Sequence, residues 1–307
     1  MPCLYTFEYS TSLCNRFGKQ MGRTSGGGAD TVWEKLIIFV IFCIVWYCTP
    51  FSEPIASGLV WFIPRSLDVQ MGHAAARSSR FRTSMNGGYQ SRVKKIGGDI
   101  LRAMPKDLTS GYDFSFEVID EDYVNAFAFP GGGVFITDEL ISDLDATDDE
   151  IAAVLAHEIG HIVHRHSQKG WVKDSAVLLV WSAVFYEDGD DHDESFGEAM
   201  GELLIKSAAG IAALSFSRSH EYQADSTGWV ALTEAAGFDQ RGMITFFEKL
   251  MQLDVQGDGK THWDSTHPGT ADRIKELRSR CGTSCNNMKP TKRLDEKKRR
   301  QPVHREF

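Results

Sequence analysis

His157-Glu158-Ile159-Gly160-His161 places two imidazoles and a carboxylate at a spacing that suits one kind of chemistry. On a helix, residues four apart share a face, so His157 and His161 can turn two nitrogens toward one metal ion while Glu158 stands beside them to handle a proton. Nitrogen and oxygen ligands suit Zn²⁺, which lowers the pKa of a coordinated water to about 7, within reach of a carboxylate base. The reading needs a helix, and the flanking residues supply one. Thr147, followed by Asp148, Asp149 and Glu150, forms a capping box with acidic residues in the first turn. Ile151, Val154, Leu155, Ile159 and Ile162 then recur at helical spacing and mark a buried side.

A catalytic zinc normally has three protein ligands and an open position. One extended form of the helix motif has glycine three residues, and histidine six residues, after the second histidine. Here those positions are His164 and Ser167, so that form is excluded. His164 shares the face but lies about 10 Å along the axis from His157, so His164 and His166 are expected in structural or supporting roles. A better source lies in Ser217-Arg218-Ser219-His220-Glu221-Tyr222-Gln223-Ala224-Asp225. Glu221 and Asp225 are four apart on a helix, so Glu221 can reach the metal and Asp225 can accept a hydrogen bond from the outer nitrogen of a ligating histidine. Glu198 and Glu202 have the same spacing, and spacing alone does not choose between the pairs.

Upstream of the metal helix, Phe114, Phe116 and Val118 alternate with polar residues. Val124 to Phe129 then leads through Pro130-Gly131-Gly132-Gly133 into Val134-Phe135-Ile136-Thr137, a strand, a glycine-rich turn and a strand. Such an edge either binds an extended peptide as an added strand or only supports the core, and the pattern fits both. Residues 66–106 read as helical. The uncharged run from Leu36 to Ser52 sits at the lower limit for spanning a bilayer, and more Lys and Arg precede it than follow it. The expected organisation is a disordered or targeting segment over 1–35, a hydrophobic membrane-anchor region over 36–63, a zinc-binding catalytic domain over 64–285 on the translocated side of a single-pass anchor, and a basic tail over 286–307. The acidic run 187–194 reads as a surface loop.

Composition narrows the function classes. At 307 residues and 42% hydrophobic the chain can bury a core, and its net charge of −9 argues against nucleic acid as the main partner. The six cysteines, at 3, 14, 43, 48, 281 and 285, leave the middle empty, so no disulfide framework and no cysteine nucleophile is expected. Cys281 and Cys285 pair, bind metal or remain thiols, the last being the ordinary outcome.

Together, His157 to His161 and Glu221-Tyr222-Gln223-Ala224-Asp225 resemble the gluzincin family that includes the CaaX prenyl proteases and the HtpX-type membrane proteases. Asn125-Ala126-Phe127-Ala128-Phe129-Pro130-Gly131-Gly132 is similar to that family's substrate-side strand, especially in Oma-type and BepA-type members, and His267-Pro268 with Arg273 matches its downstream motif. The resemblance covers about residues 60–280. It implies an α+β, mainly helical, zincin-like domain with a small sheet beside the active-site helix. It also implies one zinc per chain on His157, His161 and Glu221, with Glu158 as general base. Asn125, Ala126 and Phe127 would hold substrate. His267 would lie near the metal, either steadying the transition state or filling the open position at rest. Oma-type kinship points to the mitochondrial inner membrane. The function expected is zinc-dependent endoproteolysis of unfolded or membrane-associated proteins, in protein quality control. The alternative is a membrane-tethered chaperone or binding module with a structural metal, in which Glu158 would have no use. An aminopeptidase would need an acidic anchor for a free N-terminus, for which the sequence has no motif.

Overall fold

The computed structural model describes residues 29–48, 51–79, 81–185, 216–234, 237–254 and 261–285. The acidic run 187–194, the pair Glu198 and Glu202, residues 1–28 and the tail 286–307 lie outside the described residues. The chain divides into two compact units, made of the described parts of Met1–Trp61 with Trp171–Glu194 and of Phe62–Gly170 with Ser195–Phe307.

The first unit contains α1 (Ala29–Cys48) and α2 (Ser52–Trp61). Trp46 Nε1 donates to the carbonyl of Lys173 at 3.1 Å, and Lys173 pairs with Glu53 at 3.5 Å. Among the described residues no helix is long and apolar enough to cross a membrane, so the expected spanning anchor finds no support there. The charged Glu34 and Lys35 fall inside the 20-residue α1 and shorten its apolar part. On that part Ile37, Ile38, Val40, Ile41 and Val45 are exposed.

In the second unit the helical signal over 66–106 resolves into α3 (Arg65–Ser79) and α4 (Gly87–Ala103), followed by the single turn α5 (Lys106–Thr109). Asn86 begins α4 by accepting from Tyr89 N, and Thr83 instead bridges to the sheet at Ile119. The sheet holds β1 (Ser115–Ile119), β2 (Ala126–Ala128) and β3 (Gly133–Thr137) in the order β1-β3-β2, with β1 parallel and β2 antiparallel to β3. Alternation assigns its faces. Phe116, Val118, Ala126, Ala128, Val134 and Ile136 join the main core, while Phe127, Phe135 and Ile119 form a second cluster with Phe129 and Ala75. The turn from β2 to β3 passes under α3, where a Cβ on Gly131, whose φ is 83°, would meet the backbone of Val69 at 2.3 Å. Only glycine fits both that conformation and that approach.

The short α6 (Asp138–Asp143) leads to α7 (Asp148–Val163), which carries the metal motif and is buried over most of its length. Both bonds of the expected capping box are present: Thr147 Oγ1 accepts from Glu150 N, and Glu150 Oε2 accepts from Thr147 N. Lys249 Nζ donates to the same Glu150 Oε2 at 2.6 Å and to Asp145 O at 3.1 Å, so a buried cation ties down the start of the helix. After Arg165, whose φ of 55° reverses the chain, α8 (His166–Phe185) begins; its residues from Trp171 onward belong to the first unit. The second unit continues with α9 (Arg218–Glu234), α10 (Gly242–Asp254), the single turn α11 (Trp263–Thr266) and α12 (Thr270–Cys281). On α10, Phe246, Phe247 and Leu250 are buried in the main core, each contributing about 2 kcal/mol. Cys281 and Cys285 form a disulfide, contrary to the expectation of free thiols. Helix α12 stops at Gly282, whose positive φ turns the chain so that the Cα atoms come to 5.5 Å, within bridging range.

Candidate metal centre

Close packing of α7 against α9 creates the centre. A Cβ on Gly160 would stand 2.9 Å from the backbone of Ala224, so glycine on one helix and alanine on the other let the motif-bearing faces meet. His157, His161, Glu221 and His267 converge in this space, each with a ligand atom within 4.8 Å of the others, and all four are buried. His157 Nε2 and His161 Nε2 are 3.0 Å apart, and each lies 3.4 Å from an oxygen of Glu221. His267 Nδ1 lies 3.4 Å from His157 Nε2 and 3.3 Å from Glu221 Oε1. His164 is not part of the group; it caps α7 and bonds Thr227 Oγ1 at 2.6 Å.

Behind the nitrogens, the two α7 histidines meet different surroundings. His157 Nδ1 donates to Asp225 Oδ1 at 2.9 Å, and Asp225 is gripped by Arg273 through Nε and Nη2, both at 2.7 Å. Arg273 also reaches Glu221 through Nη1 and lies over the Phe247 ring, with Cζ 4.3 Å from its centroid. His161 stacks on Phe216 at 3.9 Å, and its Nδ1 lies 2.8 Å from His166 Nδ1. Trp263 stacks on His267 at 4.4 Å.

The electrostatics follow these contacts. Burial and Arg273 both press against protonation of His157, but its bonds to Asp225 and Glu221 outweigh them and raise it to about 9 in the metal-free protein. Burial lowers His161 well below the usual range, with the attraction of Glu221 insufficient to restore it. Burial likewise takes His166 to about 2, helped by His220. Burial would raise Asp225, but Arg273 and His157 hold it below the ordinary range. Glu158 is raised by burial, only partly offset by His267 and His157.

These groups suit a divalent cation. Three carboxyl groups, Glu158, Glu221 and Asp225, are buried around one guanidinium, Arg273, so a charge of +2 brings the ionised set to neutrality. Imidazole nitrogen with carboxylate oxygen is a donor set that zinc accepts. Neither oxygen of Glu158 has a hydrogen-bond partner, and its nearest basic group is His267 Nε2 at 3.5 Å. A buried carboxyl left in that state is expected where a reacting proton is to be received.

Of the residues expected to hold substrate, Phe127 packs in the second cluster on the face opposite the main core, Asn125 pairs back onto the end of β3, its O accepting from Thr137 N at 3.0 Å, and Ala126 alone turns its backbone N and O away from β3. Asn125 Oδ1 accepts from Ala126 N at 3.0 Å. Val124 O accepts from His262 N at 3.2 Å, and Ala126 O faces His267 Nε2 at 3.3 Å, so residues 262–267 lie along this edge. Sequence reasoning did not anticipate Phe216, Trp263 or the ion pairs of Arg273. Aromatic stacking and a salt bridge between distant residues leave no periodic signal; only the spacing of Arg273 from His267 marked it.

A buried two-histidine, one-glutamate cluster beside an unpartnered glutamate, on a mainly helical domain with a small sheet, is the arrangement of a zincin-like metallopeptidase. The chain belongs to peptidase family M48, whose model matches residues 88–281, and the metalloproteases of this family use zinc. It is 30% identical over 193 residues to the beta-barrel assembly-enhancing protease of Escherichia coli, covering 58% of this chain and 35% of that one. It is 33% identical over 167 residues to the mitochondrial metalloendopeptidase OMA1 of Arabidopsis thaliana, covering 54% and 31%. It is 26% identical over 255 residues to the mitochondrial metalloendopeptidase OMA1 of Saccharomyces cerevisiae, covering 76% and 70%. The chain thus spans about a third of the length of the first two relatives.

Proposed function

We propose that this chain is a zinc-dependent metalloendopeptidase that hydrolyses peptide bonds of unfolded or membrane-associated proteins, in the service of protein quality control. The observation that carries the reading is the placement of Glu158, buried with both oxygens unpartnered, beside the ring nitrogens of His157 and His161 and the carboxylate of Glu221. These last three are the proposed protein ligands of one zinc. When bound, zinc polarises the scissile carbonyl and makes a water nucleophilic near neutral pH. Glu158 takes a proton from the attacking water and delivers it to the leaving amine. A carboxyl raised by burial is suited to both steps, since it holds the proton between them. Asp225 fixes the ring of His157 through Nδ1, leaving Nε2 bare for the metal.

Substrate is proposed to add as a strand beside Asn125, Ala126 and Phe127, so that main-chain bonds hold it whatever its sequence. The segment 262–267 lies on that edge here, which supports a resting form in which His267 would stand among the metal-holding residues until peptide displaces the segment; its alternative role is to steady the transition state. Residence at a membrane is a finer part of the proposal. It is supported by the exposed Ile37, Ile38, Val40, Ile41 and Val45 on α1 and, for the mitochondrial inner membrane, by the likeness to proteins named mitochondrial metalloendopeptidase.

Removal and return of metal tests the chemistry. Full-length protein stripped by a chelator is expected to lose cleavage of an unfolded protein and to regain it with about one equivalent of zinc; activity that survives stripping refutes the proposal. For location, the protein is expected to sediment with membranes in fractionated cells, and recovery wholly in the supernatant would remove that part.

A further inference from the structure

We propose that Gln223 and His166 are positioning residues that set the tautomer of His161, so that its bare Nε2 is the atom offered to the metal. The proposal rests on the zinc function above and concerns a support not built from carboxylate. His166 Nδ1 and His161 Nδ1 are 2.8 Å apart, and two ring nitrogens at that distance share one proton. On the far side of the His166 ring, Nε2 lies 3.0 Å from Gln223 Oε1. A carbonyl oxygen only accepts, so His166 Nε2 carries a hydrogen and, in the neutral ring, Nδ1 is bare. The shared proton therefore belongs to His161 Nδ1, and His161 Nε2 is left with its lone pair. That atom is the one that faces Glu221 Oε1 at 3.4 Å and His157 Nε2 at 3.0 Å. The opposite set of tautomers would put a hydrogen on His161 Nε2 and close it to a cation.

The backbone is shaped for this contact. Helix α7 ends at Val163, Arg165 turns with φ of 55°, and α8 starts at His166, which brings a ring five residues along the chain back over His161 with centroids 4.9 Å apart at 76°. His166 is 1% exposed and stacks on His220 at 4.1 Å, so it is held at its position. Gln223 sits on α9 midway between Glu221 and Asp225, so one helix supplies a proposed ligand and the outer support of both α7 histidines. A neutral support orients His161 without adding a fourth buried carboxyl group to the three already present.

Two substitutions separate positioning from packing. In His166→Phe the aromatic volume remains and the acceptor is lost; in His166→Asn the stacking is lost but Oδ1 stands where Nδ1 stood and accepts. Zinc affinity of the full chain, read by competition with a chromogenic chelator at neutral pH, is expected to weaken about ten- to hundredfold in His166→Phe. In His166→Asn it is expected to stay within about threefold of wild type, because the hydrogen bond is kept. A phenylalanine variant that binds as wild type does, or an asparagine variant that weakens as much as phenylalanine, overturns the relay. Metal-free melting curves check folding, and His166→Met replaces the phenylalanine variant with the same expectation if the latter does not fold. A wild-type chain that binds no zinc overturns the metallopeptidase reading and the relay together; tight wild-type binding with no loss in His166→Phe overturns the relay alone.

Discussion

The two flanks of the metal centre solve the same problem by different means. Around His157 the support is ionic, a buried chain from Asp225 to Arg273 and on to Glu221; around His161 it is free of carboxylate, with His166 and Phe216 against the ring. A buried charge is tolerable only while its partner is present, so the ionic flank is all-or-none, and the neutral flank degrades gradually. The ionic flank therefore carries stability as well as orientation, and the neutral flank mainly orientation.

The largest expected effect comes from breaking the ionic flank. Arg273→Met leaves Glu221 and Asp225 buried without their cation and is expected to destabilise the metal-free protein by about 3 to 5 kcal/mol in denaturant titration. His166→Phe should lose much less, and equal losses would erase the distinction between the flanks. Titration of the metal-free protein gives the next effect. His157 is raised to about 9, so its contribution is full below the unfolded value of about 6.5 and is lost as pH rises toward 9. His161 and His166 are lowered, so the unfolded chain takes up their protons first and stability falls as pH drops below about 6.5. Metal-free stability is therefore expected to peak near pH 6.5, with a high-pH loss on the order of 3 kcal/mol from His157 that Asp225→Asn reduces. A flat profile up to pH 9 would show that His157 is not held as its contacts imply. Smaller still, Asp225→Asn is expected to weaken zinc binding about ten- to hundredfold in a chelator competition. Least of all, Thr147→Ala, which removes the cap at the far end of α7, should cost about 1 kcal/mol in a melting experiment and leave zinc affinity unchanged.

What the sequence revealed of this site follows chain proximity. The capping box at Thr147 and Glu150, the apolar stripe of α7 and the hairpin with its Gly131 turn are local patterns, and each was readable from spacing. Glu221 was not fixed by spacing, since Glu198 and Glu202 matched it, and it was the resemblance that singled it out. The contact of His166 with His161 depends on a single positive φ at Arg165, a residue whose type gives no warning of a left-handed turn. Arg273 sits 48 residues from Asp225, and an ion pair at that separation has no period to detect. The spanning anchor was expected from an uncharged run at the length limit, whereas α1 as a whole includes Glu34 and Lys35. Spacing leaves the Cys281–Cys285 pairing open beside the more ordinary free thiols; the stop at Gly282 is what brings the two together.

The most direct test of the central claim is cleavage of an unfolded protein by zinc-loaded full-length chain beside its Glu158→Gln variant, with the products mapped by mass spectrometry. Cleavage at internal peptide bonds that falls at least about a hundredfold in the variant, with zinc still bound, is the expected result. Equal cleavage by both forms, or capture of the unfolded protein by both without any cut, would contradict it.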